Sequence, residues 1–412
     1  MLDIKFIRNN PDVVKQTAKN KNVVVDIDAL LVLDEKRREL QGKADGLNKK
    51  KKEFAQARDV ESGKKAKEQA STLEEELRIT NDELRNLSYQ VPNIATDDTP
   101  IGKDESENQV IREWGKKPAF DFKPKEHWEL GKDLDVIDTE TAAAVAGSRF
   151  AYLKGDLVLL EFALIHYALS LFVKEGFRPV LPPVMLRTDV YRKTARLNEQ
   201  EITYRVANEE DLWLAASAEH TMVPMHMDQI ISEKNLPIRY IGFSTAFRRE
   251  AGTYGKDMKG ILRVHQFDKL EMESFSTPEQ GRSEHDFFVS MQEKLMQGLG
   301  LPYQVVLKCT ADIGSANARG VDINTWLPGQ NQYRETQTAD YMTDFQARRL
   351  GTKYRKSDGS TEFIHTNDAT ALAIGRTIAA IMENYQTKEG TIKIPEVLKP
   401  WMLGIEKISR LR

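Results

Sequence analysis

Apolar residues recur at a spacing of seven along the early part of the chain. One series is Leu33, Leu40, Leu47 and Phe54, and a second is Ala70, Leu77, Leu84 and Val91, with Leu73 and Leu87 beside it. Sustained heptad spacing is typical of coiled-coil helices. The two series break between Asp59 and Gly63, where Ser62-Gly63 can turn the chain. The pattern therefore predicts two long helices packed antiparallel, as a hairpin, over about residues 28–91.

The expected tip of this hairpin is basic. A first helix over residues 28–57 would be about 45 Å long and would carry the tip away from a globular body. From Lys43 to Lys67 the chain has nine cations and four anions, a local charge of +5. Such a run is a solvated helix face, a phosphate-binding surface or part of a coiled-coil dimer, and the residues alone do not separate these interpretations. The candidate nucleic-acid contacts are Lys43, Lys49, Lys50, Lys51, Lys52, Arg58, Lys64 and Lys65.

The pattern changes after Val91. A segment rich in proline and aspartate extends to about residue 133, and mixed helical and alternating patterns follow. Helices are predicted over about 156–175, 277–299 and 371–385, and strands over 236–243, 260–273, 303–309 and 321–326. Because most strands follow each other without an intervening helix, we expect an α+β fold with an antiparallel sheet flanked by helices. The predicted domains are residues 1–105 and 106–412.

Composition narrows the function classes. The chain has 412 residues, of which 40 % are hydrophobic, and this excludes wholesale disorder. Its net charge is −3, so any nucleic-acid site must be a local patch. The single cysteine, Cys309, excludes an intramolecular disulfide framework and a multi-cysteine zinc site. The charged opening is not typical of a secretory signal, and the apolar stretch Asp156–Val173 carries Glu161 and His166, which favours a helix buried on one side over a membrane span. We therefore expect a cytoplasmic protein without a membrane partner.

Three segments carry the clearest chemistry. The first is Phe247-Arg-Arg-Glu250, followed by a basic, glycine-containing loop and an alternating strand that ends at Glu271. Arg248 could bind a phosphate with two hydrogen bonds, and Glu250 could accept one from an exocyclic amine. The plainer interpretation is a hairpin with a surface ion pair.

The second and third segments are also suited to a nucleotide. Glu335, at a strand start, could hold a Mg²⁺ ion between nucleotide phosphates or be one more solvated carboxylate. Thr366–Arg376 opens the predicted last helix with small residues, which suits ligand approach or simply close helix–sheet packing, and Arg376 could reach a terminal phosphate. No G-x-x-x-x-G-K-S/T or G-x-G-x-x-G string is present, so arginines would have to hold a nucleotide.

Together these segments resemble motifs 2 and 3 of the class II aminoacyl-tRNA synthetases, and Gly176-Phe-Arg-Pro-Val-Leu-Pro-Pro183 with its preceding helix resembles motif 1, a dimer-interface element. Longer strings are similar to seryl-tRNA synthetases of the bacterial type, namely Arg263–Glu271, Trp326–Asn331, Asp344–Arg349 and Met382–Gln386. The resemblance covers essentially the whole chain. It implies a class II antiparallel sheet with an N-terminal helical arm, ATP and Mg²⁺ without zinc, L-serine and tRNA(Ser) as substrates, and a homodimer. It leaves tRNA(Sec) open as a second acceptor.

The resemblance also implies roles for individual residues. Arg248, Glu335 and Arg376 would be catalytic. The ATP contacts would be Arg248, Arg249, Glu250, Val264, Glu335, Thr336, Gln337, Thr338 and Arg376, with Glu335 and Thr338 holding Mg²⁺ through ATP. The serine contacts would be Ser217, Ala218, Glu219, Arg248, Glu271 and Thr370. The basic tip of the arm would bind the long variable arm of the tRNA.

The chain departs from the family strings around the amino-acid site. The G-T-G-Q-L-P string is not evident near Thr194–Gln200, E-I-S-S-C-S-N becomes Glu335–Tyr341, and L-N-G-S-G becomes Asn367–Ala371. The last change adds methyl groups at two glycines and at the serine, and these are expected to shrink the pocket against threonine. The arginines and Glu335 are intact, so we expect adenylation to persist.

Two alternatives stand beside this interpretation. One is a class II paralogue that activates another small amino acid or loads a carrier protein or other non-tRNA acceptor, against which the retained arm argues. The other is a non-catalytic binding module, against which the retained arginines and Glu335 argue.

Overall fold

The computed structural model describes residues 1–197, 202–207, 211–250 and 259–410. They form two compact units, Met1–Ala95 and Thr96–Arg412. The helices are α1 (Ile4–Asn9), α2 (Pro11–Asn20), α3 (Ile27–Ala57), α4 (Val60–Gln90), α5 (His127–Asp133), α6 (Thr139–Ala146), α7 (Asp156–Lys174), α8 (Thr188–Lys193), α9 (Glu219–Met222), α10 (Pro278–Gly298), α11 (Phe345–Leu350) and α12 (Ile374–Asn384). The strands are β1 (Gln109–Trp114), β2 (Ile137–Asp138), β3 (Tyr152–Leu153), β4 (Arg178–Val180), β5 (Met185–Arg187), β6 (Leu212–Leu214), β7 (Ile230–Ser232), β8 (Ile238–Phe247), β9 (Gln266–Ser276), β10 (Tyr303–Leu307), β11 (Arg319–Leu327), β12 (Gln332–Thr343), β13 (Lys353–Arg355), β14 (Thr361–Phe363), β15 (His365–Ala373), β16 (Ile392–Lys393) and β17 (Lys407–Ile408).

The boundary between the units lies earlier than residue 105. The Thr96 N–H donates to the Ala318 carbonyl at 2.9 Å, and the Gly102 N–H donates to Thr310 Oγ1 at 3.2 Å. These bonds tie the residues after Ala95 to the second unit.

The first unit contains the helical hairpin that the heptads predict. α3 and α4 pack against each other along their length, and Leu40 and Leu84 from the two series are buried. The turn lies earlier than Ser62-Gly63, which are inside α4. Arg58 adopts a left-handed conformation at φ +56°, and the Asp59 side chain caps α4 by accepting from the Ser62 N–H. The cap at Asp59 therefore starts the return helix before the glycine is reached.

The second unit is built on an eight-stranded sheet in the order β1-β10-β11-β12-β15-β9-β8-β4. Its neighbours are antiparallel except for β4 and β8, which are parallel. Helices α7, α10 and α12 bury apolar faces in one hydrophobic cluster with this sheet. The predicted α+β class with an antiparallel sheet flanked by helices is confirmed.

Helix α7 explains the most apolar stretch of the sequence. It is long and apolar enough to cross a membrane by length and composition alone. However, Leu157, Leu160 and Leu164 on one of its faces are fully buried in the core of the second unit. On the other side, Phe162 and Val173 are exposed. This matches the prediction of a helix buried on one side.

The last helix begins later than its pattern suggested. Residues 371–373 end strand β15, and α12 starts only at Ile374. The small residues of this segment are pressed between neighbouring strands, where every residue from Thr366 to Leu372 is buried. Thr370 therefore lies on a strand and not at a helix start. Similarly, the run from Gly260 forms turns first, and its strand begins at Gln266.

Candidate active site

One cavity of about 240 Å³ collects residues from all three chemical segments. It lies over strands β9, β12 and β15 and the start of α12. The predicted residues that line it are Ser217, Glu219, Arg248, Glu250, Val264, Glu271, Glu335, Thr336, Thr338, Thr370 and Arg376. Lining residues that the sequence analysis did not single out include Arg196, His220, Arg263, Lys269, Asp340 and Asp368.

A bulge in strand β12 decides which side chains enter the cavity. Asn324 pairs with Glu335 and Ile323 pairs with Gln337, so Thr336 is an extra residue between them. A β-bulge changes which face the later side chains occupy. Glu335 and Thr338 therefore both line the cavity, whereas Gln337 points away and its Nε2 donates to the Ala371 carbonyl at 2.7 Å.

Three predicted residues lie outside the lining. Gln337 is behind the sheet, and Ala218 is fully buried in a separate apolar cluster. The Arg249 side chain is exposed, and its backbone N–H donates to the Ile202 carbonyl. Alternation along a chain explains the Arg249 result, because its neighbours Arg248 and Glu250 both face the cavity.

Arg376 and Glu335 form an ion pair at one end of the cavity. Arg376 Nη1 donates to Glu335 Oε1 and to the Glu335 carbonyl, both at 2.9 Å. Burial acts to raise the pKa of the Glu335 carboxyl, but Arg376, Lys308 and Arg248 together hold it below its usual value. The Glu335 side chain is still 48 % exposed. An ionised, accessible carboxylate thus lies beside an arginine.

Arg248 and Glu250 are held near this end. Arg248 Nε donates to the Ala216 carbonyl at 3.2 Å, and its guanidinium lies over the Phe267 ring at 5.3 Å from the centroid. Arg263 Nη1 donates to Glu250 Oε2 at 2.5 Å. Both side chains are therefore pre-oriented by neighbours before any ligand binds.

The other end of the cavity is an ion-pair cluster centred on Arg196. Its Nη2 donates to Asp368 at 2.9 Å and lies 3.5 Å from Asp340 Oδ2, and its Nε is 2.5 Å from Glu219 Oε1. Beside it, Lys269 Nζ is 2.5 Å from Glu271 Oε2. Glu219, Glu271 and Asp368 each place a carboxylate oxygen within 4.8 Å of the others.

The strand register explains why so many carboxylates meet. Asp340 on β12 pairs with Asp368 on β15, and Asp368 pairs with Glu273 on β9. Thr370 pairs in the same way with Glu271. Directly paired residues lie on the same face of a sheet. Three acidic residues thus form a row across three strands.

Burial and neighbouring charges shift the pKa values of the carboxyl groups in this cluster in different directions. It raises the pKa of Glu271 to about 7, although Lys269 acts in the opposite direction. It also raises the pKa of Glu273 and of Asp368 well above the usual value. For Glu219, the Arg196 charge overcomes burial and holds the pKa well below the usual value. Glu219 is therefore the firmly ionised carboxylate of the cluster.

His220 is neutral and positions Glu219. Burial lowers the pKa of His220 to about 4. Its Nδ1 accepts from the Ala216 N–H at 3.2 Å and lies 2.6 Å from the Tyr191 hydroxyl. Because a backbone N–H can only donate, the ring proton is on Nε2, which faces Glu219 Oε1 at 3.5 Å.

A weak signal could have identified Arg196 in the sequence. Thr194-Ala-Arg-Leu197 matches T-G-Q-L of the family string at its first and last positions, so Arg196 stands where the string has glutamine. Ala195 adopts φ +63°, a conformation that a glycine takes readily. The segment is thus similar to the string at two of these four positions. Arg196 was not predicted because the other two residues differ.

The basic residues of the arm are on the surface of the first unit. Lys43, Lys49, Lys50, Lys52, Arg58, Lys64 and Lys65 are exposed, and Lys51 is half-buried. They lie in the last turns of α3, the connection and the first turns of α4. The predicted basic tip is therefore a continuous stretch around the hairpin turn.

Comparison with known proteins assigns the whole chain to one family. A family model described as the seryl-tRNA synthetase N-terminal domain matches residues 1–95, and one described as the tRNA synthetase class II core domain (G, H, P, S and T) matches residues 203–385. The serine–tRNA ligase of Symbiobacterium thermophilum is 40 % identical over 100 % of both chains. The chain belongs to the seryl-tRNA synthetase family. Its activity is that of a serine–tRNA ligase, as the sequence motifs predicted.

Other seryl-tRNA synthetases agree with this assignment. The serine–tRNA ligase of Nitrosopumilus maritimus is 40 % identical over 98 % of this chain and 99 % of its own. The seryl-tRNA synthetase of Pyrococcus horikoshii, solved in complex with ATP, superposes with a TM-score of 0.93 at 35 % identity, covering 100 % of both chains. The cytoplasmic serine–tRNA ligase of Naegleria fowleri, solved with AMP, gives 0.90 at 32 % identity, covering 100 % of this chain and 99 % of its own. The class II synthetase fold is confirmed over the full length.

Proposed function

We propose that this cavity performs both half-reactions of the serine–tRNA ligase, first activating L-serine with ATP and then passing the seryl group to tRNA(Ser). The observation that carries the proposal is the single cavity itself. It holds Arg248, Glu335 and Arg376 at one end and Ser217, Glu219, Glu271 and Thr370 at the other. A phosphate-binding end and an amino-acid-binding end are what an adenylation reaction needs.

ATP would occupy the end with the arginines. Arg248 is assigned the α-phosphate and Arg376 the γ-phosphate, since a guanidinium binds phosphate with two parallel hydrogen bonds. Glu250 would accept from the adenine amine, and Val264 would pack against the nucleotide. The Pyrococcus relative, which was solved with ATP, supports the choice of nucleotide.

The residues at this end also fit a Mg²⁺ ion. Mg²⁺ prefers hard oxygen ligands. Glu335 offers an ionised and half-exposed carboxylate, and the Thr338 side chain lies on the same face of β12. Bound together with ATP, the ion would neutralise phosphate charge. No zinc ligand set is proposed, because the ligand group at the other end consists of carboxylates, with Arg196 and Lys269 beside them, and contains no histidine or cysteine.

The reaction asks for positioning rather than for covalent catalysis. Glu219 would hold the serine ammonium, and Glu271 with the Thr370 hydroxyl would hold the serine hydroxyl. A serine carboxylate oxygen attacks the α-phosphorus, the bond to the β-phosphate oxygen breaks, and pyrophosphate leaves. Arg248 stabilises the charge that develops on the α-phosphate. A hydroxyl of the terminal adenosine of the tRNA then attacks the seryl carbonyl, and AMP leaves.

The basic tip of the arm is proposed as the tRNA contact. Its cations are exposed and clustered around the turn between α3 and α4. The match of residues 1–95 to the seryl-tRNA synthetase N-terminal domain supports a tRNA acceptor over a carrier protein. Aminoacylation of tRNA(Sec) in the same assay would test the second acceptor.

A homodimer and a cytoplasmic location complete the proposal. The exposed apolar residues Phe162, Val173 and Leu181 lie on α7 and just after β4, in the segment that resembles motif 1. A wild-type dimer and a monomeric Phe162→Glu variant in sedimentation would support this interface. The cytoplasmic Naegleria relative and the free, buried Cys309 fit a reducing compartment.

ATP–pyrophosphate exchange without tRNA tests the activation step. The panel is serine, threonine, alanine, glycine and cysteine, followed by aminoacylation of tRNA(Ser). We expect serine-dependent exchange, and we expect Arg376→Ala to lower kcat/KM for ATP by about 10- to 100-fold. Arg282→Ala, at an exposed ion pair elsewhere, is the matched control. Exchange with another amino acid but not with serine would overturn the proposal.

A further inference from the structure

The amino-acid end of the cavity holds more carboxyl groups than cations. Glu219, Glu271, Asp340 and Asp368 line it, and Glu273 is buried beside Asp368 in the strand register. The cations in contact with them are Arg196 and Lys269. A single substrate ammonium would still leave an excess of carboxylates. Buried charge without a partner is costly, so such a site favours a further cation or protons.

The sequence changes that create this excess are in mutual contact. In the family strings quoted above, Asp340 stands in place of serine and Asp368 in place of asparagine, which adds two carboxylates. Arg196 stands in place of glutamine, which adds one cation, and it contacts both aspartates. With all three groups ionised, the pocket carries one more net negative charge than those strings give, while the proposed serine contacts Glu219 and Glu271 are kept.

Asp340 Oδ1 in the cavity lining is buried without a hydrogen-bond partner among the described residues, and Glu273 adds to this observation. Glu273 is fully buried, and neither of its carboxylate oxygens has a hydrogen-bond partner among the described residues. It lies on the same sheet face as Glu271 and next to Asp368 in the strand register. Burial raises the pKa of both Glu273 and Asp368, so protons supply the positive charge when no cation is bound.

The spacing of the carboxylates suits ammonium groups. Oxygens of Glu219, Glu271 and Asp368 lie within 4.8 Å of one another. A point central to such a triangle is no more than about 2.8 Å from each corner, which is the length of an N⁺–H···O⁻ hydrogen bond. An ammonium at this point would therefore find three acceptors, and the Thr370 hydroxyl would be one more acceptor for the substrate.

We propose that this site also activates serine-sized amino acids whose β-substituent is an amine cation, of which L-2,3-diaminopropionate is the simplest. Such a substrate matches serine in length and, when doubly protonated, carries one more positive charge, which would balance the negative charge that the pocket has gained. Its β-ammonium has three donors for the surrounding acceptors, whereas a hydroxyl has one. The inference rests on the proposed function, because activation would use the same ATP end.

Exchange kinetics test the proposal directly. ATP–pyrophosphate exchange is measured with L-2,3-diaminopropionate, L-serine, L-alanine and L-2,4-diaminobutyrate, at about pH 6 and about pH 8 because the charge of a 1,2-diamine changes in this range. We expect exchange with diaminopropionate above that with alanine and above that with the longer diaminobutyrate. Serine exchange without diaminopropionate exchange would overturn this inference alone. Exchange with neither would overturn the proposed function.

Variants that remove a negative charge test whether the carboxylates of the pocket cause the expected activation of diaminopropionate. In Asp368→Asn and Asp340→Ser we expect the ratio of kcat/KM for diaminopropionate to kcat/KM for serine to fall at least tenfold. Asp133→Asn, which removes one exposed negative charge, is the matched control. Calorimetry in two buffers at about pH 6, where the diamine is largely doubly protonated, should show release of protons when diaminopropionate binds and fewer when serine binds. An unchanged ratio in both variants, or equal proton release, would contradict the charge argument.

Discussion

Asp340 and Asp368 are paired in register on neighbouring strands, and their carboxylates share one guanidinium, that of Arg196. Like charges directly opposite each other destabilise a sheet. Arg196 therefore stabilises the wall of the proposed amino-acid pocket, which it also lines. Its contact with Glu219 extends the same network to the group proposed to hold the substrate ammonium.

Replacing Arg196 by glutamine should be costly. The change leaves Glu219, Asp340 and Asp368 without their common cation, and breaking a buried ion pair from one side costs about 3–5 kcal/mol. We expect a lower free energy of unfolding in urea, measured by tryptophan fluorescence, and a raised KM for serine.

The control for that variant is the same substitution made in a protein that lacks both aspartates. In Asp340→Ser/Asp368→Asn, the same Arg196→Gln change should cost much less, because most of the uncompensated charge is gone. Equal costs in the two backgrounds would show that Arg196 stabilises the protein by packing and not through these carboxylates.

Glu271 should make stability depend on pH near neutrality. Its folded-state pKa, raised mainly by burial to about 7, is above the usual value of 4.5, so the folded protein binds this proton more tightly than the unfolded chain. This stabilisation is complete below about pH 4.5 and is lost as pH rises to about 7. Urea unfolding from about pH 5 to about pH 8 should therefore show a decline that is weaker in Glu271→Gln. Parallel curves for the two proteins would contradict the raised pKa.

Thr370 should help to exclude threonine. Of the three methyl groups expected to narrow the pocket, those of Ala369 and Ala371 are in the hydrophobic core, and only Thr370 lines the cavity. In Thr370→Ser we expect the ratio of threonine to serine kcat/KM in exchange to rise about tenfold, since one methyl changes binding by about 1–3 kcal/mol.

The control for Thr370→Ser removes a methyl group elsewhere on β15, and it tests whether looser packing of the strand alone changes specificity. Ala369→Gly removes one from the core and should leave the threonine-to-serine ratio unchanged. A rise of equal size in both variants would point to a looser strand β15 rather than to a wider pocket.

The lysines at the arm tip should determine the salt dependence of tRNA binding. Replacing Lys49, Lys50, Lys51 and Lys52 by alanine removes four cations near the turn. We expect weaker tRNA(Ser) binding and a slope of log K against log salt that is reduced by about 3, because each phosphate contact contributes about 0.7–0.9.

The matched control removes four exposed lysines from the second unit, Lys116, Lys123, Lys132 and Lys388. Exchange without tRNA is the reference activity for both variants. A slope that falls equally in the two proteins would show a general charge effect and would contradict a binding role for the tip.

Elements with a long periodic pattern were predictable from the sequence. The heptads of Leu33 to Phe54 and Ala70 to Val91 correctly indicated the paired helices, because a repeat over many turns has few alternative structures. The turn was misplaced because Asp59 can cap a helix as well as Ser62-Gly63 can break one. For Thr366–Leu372, short side chains fit both a helix start and a tightly packed strand, and burial between β12 and β9 decides for the strand.

The candidate site was predictable where it uses motif residues and not where it depends on register. Arg248, Glu335 and Arg376 were identified individually and do meet in one cavity. The cluster of Arg196 with Asp340 and Asp368 was not predicted, because it joins three segments distant in sequence. The strand pairing brings Asp340 and Asp368 together, and the ion pairs of Arg196 show that it joins them.

The bulge at Thr336 has a counterpart on the next strand, where Ala371 is the extra residue between Thr370 and Leu372. Gln337 donates to the Ala371 carbonyl, and Gln292 on α10 donates to the carbonyls of both Thr338 and Thr370. Two glutamines thus hold both strands in register through hydrogen bonds to their backbone carbonyls. Substitutions in these strands, such as those at positions 340 and 368, leave the register unchanged. They can therefore change the cavity lining while the register is kept, whereas an inserted or deleted residue would change the register and turn the side chains after it to the opposite face.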